Sequence, residues 1–190
     1  MSRSWQRGRT LLRNVKNVLV LMAVLAMAAL AARQAGWLAP ESGTFTAIDG
    51  DSLRKGAQEF RLHAIDAPEL HQTCTSSAGR DYPCGREARD ALRKLVKNKP
   101  LDCRIIETDR YGRLVAQCRA ETLDINGELV RLGWAIAYRQ HGRDYVDEEA
   151  EAKEARHGIW QGAFDIPEAW RRTHRDSLVR GGLSGESPPD

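Results

Sequence analysis

The sequence predicts an α+β domain, a small β-barrel with about three helices, and three observations predict it. Residues 43–66 are rich in strand patterns, residues 85–98 form one amphipathic helix, and residues 101–119 supply two further strands around Asp109-Arg110-Tyr111-Gly112. Five strands with a helix between the third and fourth suit an OB-type five-stranded Greek-key barrel, one of the small closed sheets that avoid exposed edges. A chain of 190 residues has room for one such domain and its appendages. With 42% hydrophobic and 29% charged residues it is neither wholly disordered nor collagen-like nor a multi-span membrane protein.

In chain order, GTFTAID, SLR and AQEFRLHAID are broken by Asp49-Gly50-Asp51 and Lys55-Gly56, which is turn chemistry, so a three-stranded meander is expected. GREARDALRKLVKN places Ala88, Leu92, Leu95 and Val96 on one helical face, and Pro100 stops the helix. Leu101–Glu107 and Arg113–Arg119 form a hairpin around DRYG. A short helix over Asn126–Leu132 ends at Gly133. A longer one over Val146–His157 has acids early, bases late and Gly158 as its C-terminal cap. The domain therefore runs over residues 43–170, and the small, polar residues of 171–190 are read as a disordered tail.

Residues 1–38 have another character. Residues 1–32 carry Arg3, Arg7, Arg9, Arg13 and Lys16 and no acid, which leaves 24 basic and 26 acidic residues, a net −2, for the rest. The body thus lacks the global positive field of a protein that coats nucleic acid, and any phosphate binding must be local. Val18–Ala32 is a run of fifteen uncharged residues. As a helix it would span about 22 Å, short of a bilayer core of roughly 30 Å. It reads as a signal peptide, with Ala29-Leu30-Ala31 as a small-residue cleavage pattern, or as an uncleaved anchor in the inner membrane. Either way the body is exported, to the periplasm or beyond.

Four cysteines in an exported chain read as two disulfides, for which three connectivities exist. Cys74 and Cys84 bracket a polar stretch that suits a loop staple. If Asp109 and Gly112 close a two-residue hairpin, Cys103 falls opposite Cys118 and a cross-strand bridge is reasonable. Zinc is disfavoured because no C-x-x-C or H-x-x-x-H completes a site.

Three clusters carry chemistry. Asp49 and Asp51 straddle Gly50, so in extended chain their carboxylates share a side. FRLHAIDAPE supplies Arg61, Asp66 and Glu69; Arg61 and Asp66 are an odd number apart, so one site containing both requires a bulge or a strand end between them. DRYGR supplies Asp109, Arg110, Tyr111 and Arg113 at a turn. Each alone reads as an ordinary turn or surface pair. Together they offer carboxylates for a hard cation, a carboxylate for base work and two guanidiniums for a dianionic centre, the kit for phosphodiester hydrolysis.

DGDS, FRLHAIDAPE, DRYGR, NGELVRLGWA and EAEAKEARHGIW, in this order over residues 43–161, resemble the staphylococcal-nuclease-like, or thermonuclease, family. The resemblance implies an OB-fold nuclease that uses Ca²⁺ and cuts both DNA and RNA with little sequence specificity. It implies that Asp51, Asp66 and the backbone carbonyl of Ala67 bind the cation, Ala67 standing where the best-known members have Thr. It implies that Glu69 activates the attacking water and that Arg61 and Arg113 bind the scissile phosphate. Arg110, Tyr111 and Tyr138 are its candidates for contacts to flexible single strands, and the protein is expected to act as a monomer. The competing class is a catalytically silent OB module that binds single-stranded nucleic acid or a protein. The departure from the simplest members is the stapled loop of residues 71–85 after Glu69.

Overall fold

A computed structural model describes residues 3–34, 40–139 and 142–181. The chain forms two compact units, residues 1–39 and 40–190. The first is a helix, α1 (Arg3–Gln34), and its apolar side chains from Val18 to Leu30 are exposed. Among the described residues no helix is long and apolar enough to cross a membrane.

The second unit is α+β. Its strands are β1 (Glu41–Gly43), β2 (Thr46–Ala47), β3 (Ser52–Lys55), β4 (Gln58–Leu62), β5 (Ile65–Asp66), β6 (Cys74–Thr75) and β7 (Asp81–Tyr82), then β8 (Leu101–Thr108), β9 (Leu114–Ala120), β10 (Leu123–Asp124) and β11 (Ile136–Ala137). Its helices are α2 (Cys84–Val96), α3 (Ile125–Arg131), α4 (Val146–Glu154) and α5 (Pro167–Gly181), with a 3₁₀ turn at Gly158–Gln161. The main sheet runs β1-β8-β9-β4-β3-β2, with β10 on β9. β1 and β2 are two pieces of one stretch, interrupted by Thr44 and Phe45, yet they stand at opposite ends of this order. The sheet therefore curls on itself, with β4 and β9 parallel at its middle.

The core lies inside this curl. Phe60, Leu53, Leu62, Leu101 and Ala116 are buried, Phe45 meets Phe60 edge to face at 5.0 Å, and α2 contributes Ala88, Leu92 and Val96. The helix face expected from sequence is thus the face that is buried. α3 is capped by Asp124, whose side chain accepts from the Asn126 and Gly127 amides. Asn126 is fully buried; it accepts from the Cys118 amide at 3.1 Å and donates to the His63 and Ala116 carbonyls at 3.0 and 3.2 Å. One side chain thereby ties α3 to the curled sheet and to the turn ahead of Asp66.

Three expectations change. α4 ends at Glu154, and Arg156 takes the left-handed conformation (φ 53°) instead of Gly158 capping a longer helix. Gly158 serves packing instead. A Cβ on Gly158 would overlap the Gly133 carbonyl and one on Gly133 would overlap the His157 carbonyl, and both glycines have positive φ. The DRYG turn is not a two-residue hairpin. β8 and β9 pair Thr108 with Leu114, and a bulge between Ile105 and Glu107 shifts the register by one residue. That shift is what brings Cys103 opposite Cys118, and the two are disulfide-bonded, as are Cys74 and Cys84. Finally, the boundary read at residue 170 falls inside α5, which continues to Gly181; residues 182–190 of the expected tail lie outside the described residues.

Candidate active site

One cleft of about 890 Å³ gathers most of the candidate residues: Asp51, Arg61, Ala67 and Glu69 on one side, Arg110, Tyr111 and Arg113 from the β8–β9 turn, and Tyr138 beyond β11. Asp66 lies behind this wall, with its side chain fully buried.

The odd spacing of Arg61 and Asp66 is resolved by a break in the strand. β4 ends at Leu62, Ala64 adopts φ 61°, and β5 begins at Ile65 and pairs with β11 in a separate ladder. Arg61 then stands between two carboxylates. Its Nη2 lies 3.0 Å from Asp51 Oδ2 and 2.9 Å from Asp66 Oδ1, and its Nη1 donates to Asp51 Oδ1 at 3.3 Å. Asp51 is held in turn by the Ala67 amide, which donates to Oδ2 at 3.2 Å, and by Ser52 Oγ, which donates to Oδ1 at 3.1 Å.

Negative charge is in surplus here. Burial, and the carboxylate of Asp51 beside it, push Asp49 up to about 6. Burial also raises Asp66, against the opposing pull of Arg171 and Arg61. The charge of Asp51 holds the Arg61 guanidinium above its ordinary value despite burial, so it is a fixed cation.

Glu69 sits on the loop after Pro68, about one-third exposed. Its backbone is held by Gln72, which is fully buried. The Glu69 amide donates to Gln72 Oε1 at 3.1 Å, the Gln72 amide donates to the Glu69 carbonyl at 2.7 Å, and Gln72 Nε2 donates to the Asp165 carbonyl at 2.7 Å. The Cys74–Cys84 bridge closes just behind, and Gly85, at the start of α2, donates to the Gln72 carbonyl at 3.2 Å. The stapled loop is therefore the footing of Glu69.

Across the cleft, Asp109 organises the turn. It accepts from the Tyr111 and Arg113 amides at 2.9 and 3.0 Å and from Arg113 Nε at 2.8 Å. Burial alone would raise its pKa, but these hydrogen bonds hold it below the usual value. Tyr111 is 66% exposed, and the Arg110 and Arg113 guanidiniums lie 4.8 and 5.5 Å from its ring centroid. Tyr138 is fixed through its amide, which donates to the Ala64 carbonyl at 2.8 Å, and burial raises its phenol.

Two residues of the site escape a reading of the sequence. Gln72 is one, and nothing in its neighbourhood marks it. The other is Arg171 of α5. Its Nη1 lies 2.9 Å from Asp66 Oδ1 and 2.8 Å from Glu69 Oε1, and its Nη2 donates to Asp66 Oδ2 at 3.0 Å. A signal for its helix is present in Asp165-Ile166-Pro167-Glu168, with Pro at the first helical position and an acid in the first turn.

The donor set suits a hard divalent cation, being all oxygen and rich in carboxylate. Among the described residues, however, no three Asp, Glu, His or Cys side chains converge as ligands, and the guanidiniums of Arg61 and Arg171 stand among the carboxylates.

Comparisons with known proteins identify the family to which the chain belongs. The sequence profile of the family described as "Staphylococcal nuclease homologue" matches residues 59–162. The chain is 36% identical over 142 residues to the "Succinoglycan biosynthesis protein ExoI" of Rhizobium meliloti (strain 1021), covering 73% of this chain and 74% of that one. It is 33% identical over 135 residues to an "Uncharacterized endonuclease" of Escherichia coli O157:H7, covering 67% and 81%. It is 32% identical over 130 residues to the "Probable staphylococcal-like nuclease CAN3" of Oryza sativa subsp. japonica, covering 67% of this chain and 32% of the relative. With more than half of its residues matched by the profile, the chain belongs to the staphylococcal nuclease homologue family.

Proposed function

We propose that the protein is a Ca²⁺-dependent nuclease that hydrolyses phosphodiester bonds of DNA and RNA with little sequence specificity. The observation that carries this reading is Arg61 held between Asp51 and Asp66 on the same cleft as Glu69 and Arg113. A phosphodiester is anionic and repels a nucleophile, so its oxygens must be neutralised while water is aligned and the added charge stabilised. Arg61 and Arg113 present planar forks suited to holding phosphate oxygens. Asp109 and the aspartate pair pre-orient these forks, so little ordering remains when the substrate enters. Glu69 accepts a proton from the attacking water as its oxygen bonds to phosphorus and the ester oxygen departs. Asp51, Asp66 and the Ala67 carbonyl would hold the Ca²⁺, which when bound neutralises phosphate charge as a Lewis acid.

The exposed Tyr111 ring, backed by Arg110, offers a face on which any base can stack, and Tyr138 offers a second. This supports flexible single strands as substrates, bound in a salt-sensitive way. We also read the curled sheet as an OB-type barrel, from its order and from the parallel pairing of β4 with β9. Export is supported by the basic start, the apolar run of residues 18–32 and two disulfides. The protein acts as a monomer, since one chain supplies every group the reaction uses.

The test is cleavage of single-stranded DNA and RNA with Ca²⁺ or with chelator, beside Glu69→Gln and Arg113→Ala. Cutting that needs Ca²⁺ and falls at least about a hundredfold in both variants is expected, the usual scale for losing one transition-state donor. Binding without cutting by the folded, oxidised protein would instead indicate the silent OB module.

A further inference from the structure

Arg171 approaches the site from α5, a helix outside the segment matched by the family profile. Its guanidinium takes both oxygens of Asp66 and one oxygen of Glu69, while Arg61 takes the remaining approach to Asp66 Oδ1. Asp66 is fully buried, so these two arginines cover its carboxylate. A divalent cation bound to Asp66 would stand about 2.3–2.6 Å from its oxygens, in the space the Arg171 fork fills and against its positive charge.

Resting on the nuclease reading of the site, we propose that Arg171 and the divalent cation exclude each other on Asp66. Arg171 is a tethered occupant that the cation must displace before Asp66 and Glu69 can act. The charges favour the exchange. Asp49, Asp51, Asp66 and Glu69 lie around Arg61, and replacing one guanidinium with a doubly charged ion neutralises more of that surplus. The same contact restrains Glu69, whose Oε1 is engaged by the Arg171 guanidinium at 2.8 Å and must be released before it can meet a water. The tether permits release. α5 follows Asp165, whose carbonyl Gln72 holds, and the buried Pro167, so the helix can swing from that footing while the barrel stays intact.

Exclusion is reciprocal coupling, so it can be read from either side. Calcium chloride is titrated by calorimetry into the full-length protein and into Arg171→Ala, Arg171→Gln and Arg172→Ala, the last changing an exposed neighbour on the same helix. Removal of Arg171 by either substitution is expected to tighten Ca²⁺ binding about tenfold, within the usual range of coupling between sites, and Arg172→Ala to leave it unchanged. Hydrogen exchange of the wild-type protein is expected to show α5 losing protection when Ca²⁺ is added while the β8 and β9 amides keep theirs; the same β amides report that the variants are folded.

Equal or weaker Ca²⁺ binding in folded Arg171 variants, or α5 protection unmoved by saturating Ca²⁺, would overturn the proposal. If the wild type still cuts DNA with Ca²⁺ in that case, only the role of Arg171 fails. A folded wild type that neither binds Ca²⁺ nor cuts would overturn both this proposal and the nuclease reading.

Discussion

The Cα of Gly85 rests against the backbone carbonyl of Glu69 so closely that a methyl group at position 85 would overlap the carbonyl oxygen. The first turn of α2 and the loop bearing Glu69 are thus one packed unit, and the position of that carboxylate depends on a residue with no side chain. Gly85→Ala must push the loop outward. Overpacking of this kind costs about 1–3 kcal/mol of stability, and a displacement of about 1 Å at a reacting group can cost on the order of a hundredfold in rate. The expected outcome is a folded protein with a lower melting temperature and a kcat reduced far more than its affinity for single-stranded DNA. An unchanged kcat would separate Glu69 from the chemistry.

Gln72 predicts a related loss by another route. Gln72→Ala would leave the Glu69 amide and the Asp165 carbonyl without their side-chain partner, inside a region where Gln72 itself is fully buried. Such groups cost about 1–3 kcal/mol each when left unpaired. Chemical denaturation should show destabilisation of that order, with Arg171 loosened because α5 follows Asp165.

Glu149 predicts an acid limit to stability. It is buried on α4, accepts from Arg139 and Lys153 at 2.6 and 2.7 Å, and accepts from the Ala137 amide at 3.2 Å. Burial alone would raise its pKa, but these partners bring it below the ordinary 4.5. A carboxylate depressed in the folded state contributes its full stability above the unfolded value. That contribution is lost as pH falls through the lower folded value. Glu149→Gln should therefore cost about 2 kcal/mol near neutrality, and the gap in melting temperature from wild type should narrow as pH falls below 4.5.

The two bridges predict sensitivity to reductant. By loop-closure entropy, a crosslink spanning ten to fifteen residues contributes about 3 kcal/mol, which for a chain of this size corresponds to roughly 6–12 °C per bridge. Melting in dithiothreitol should fall accordingly. Cys103 on β8 and Cys118 on β9 are fully buried, so their reduction should follow unfolding and not precede it. Melting unchanged by dithiothreitol would show that the bridges carry no stability.

What can be read from sequence follows from what is local. The amphipathic face of α2, a short helix expected over Asn126–Leu132 and found one residue earlier at Ile125–Arg131, and the need for a break between Arg61 and Asp66 are all short-range consequences of side-chain periodicity and turn chemistry. The expected facing of Cys103 and Cys118 rests on a tighter turn than the one that exists; a bulge at Ile106 compensates for the longer turn, and bulges leave little trace in sequence. Arg171 escapes notice for a different reason. It lies 102 positions from Glu69, and its helix reads locally as the start of a polar tail. Only the folded barrel shows that the helix leads back to the cleft. Gln72 likewise gains its importance from four backbone groups, of Glu69, Gly85 and Asp165, that no spacing rule connects.

The division of one stretch into β1 and β2 at opposite ends of the sheet has a bearing on how far the chain can be trimmed from its start. Thr44 and Phe45 act as the clasp of a bracelet: while residues 41–43 remain attached, β8 has a partner over Leu101–Cys103 on its outer side. A chain trimmed to Thr46 would expose the outer side of β8 and invite edge-to-edge association. On the proposal that the protein is exported, cleavage after Ala31 would leave residues 32–40 ahead of Glu41, with the clasp still shut.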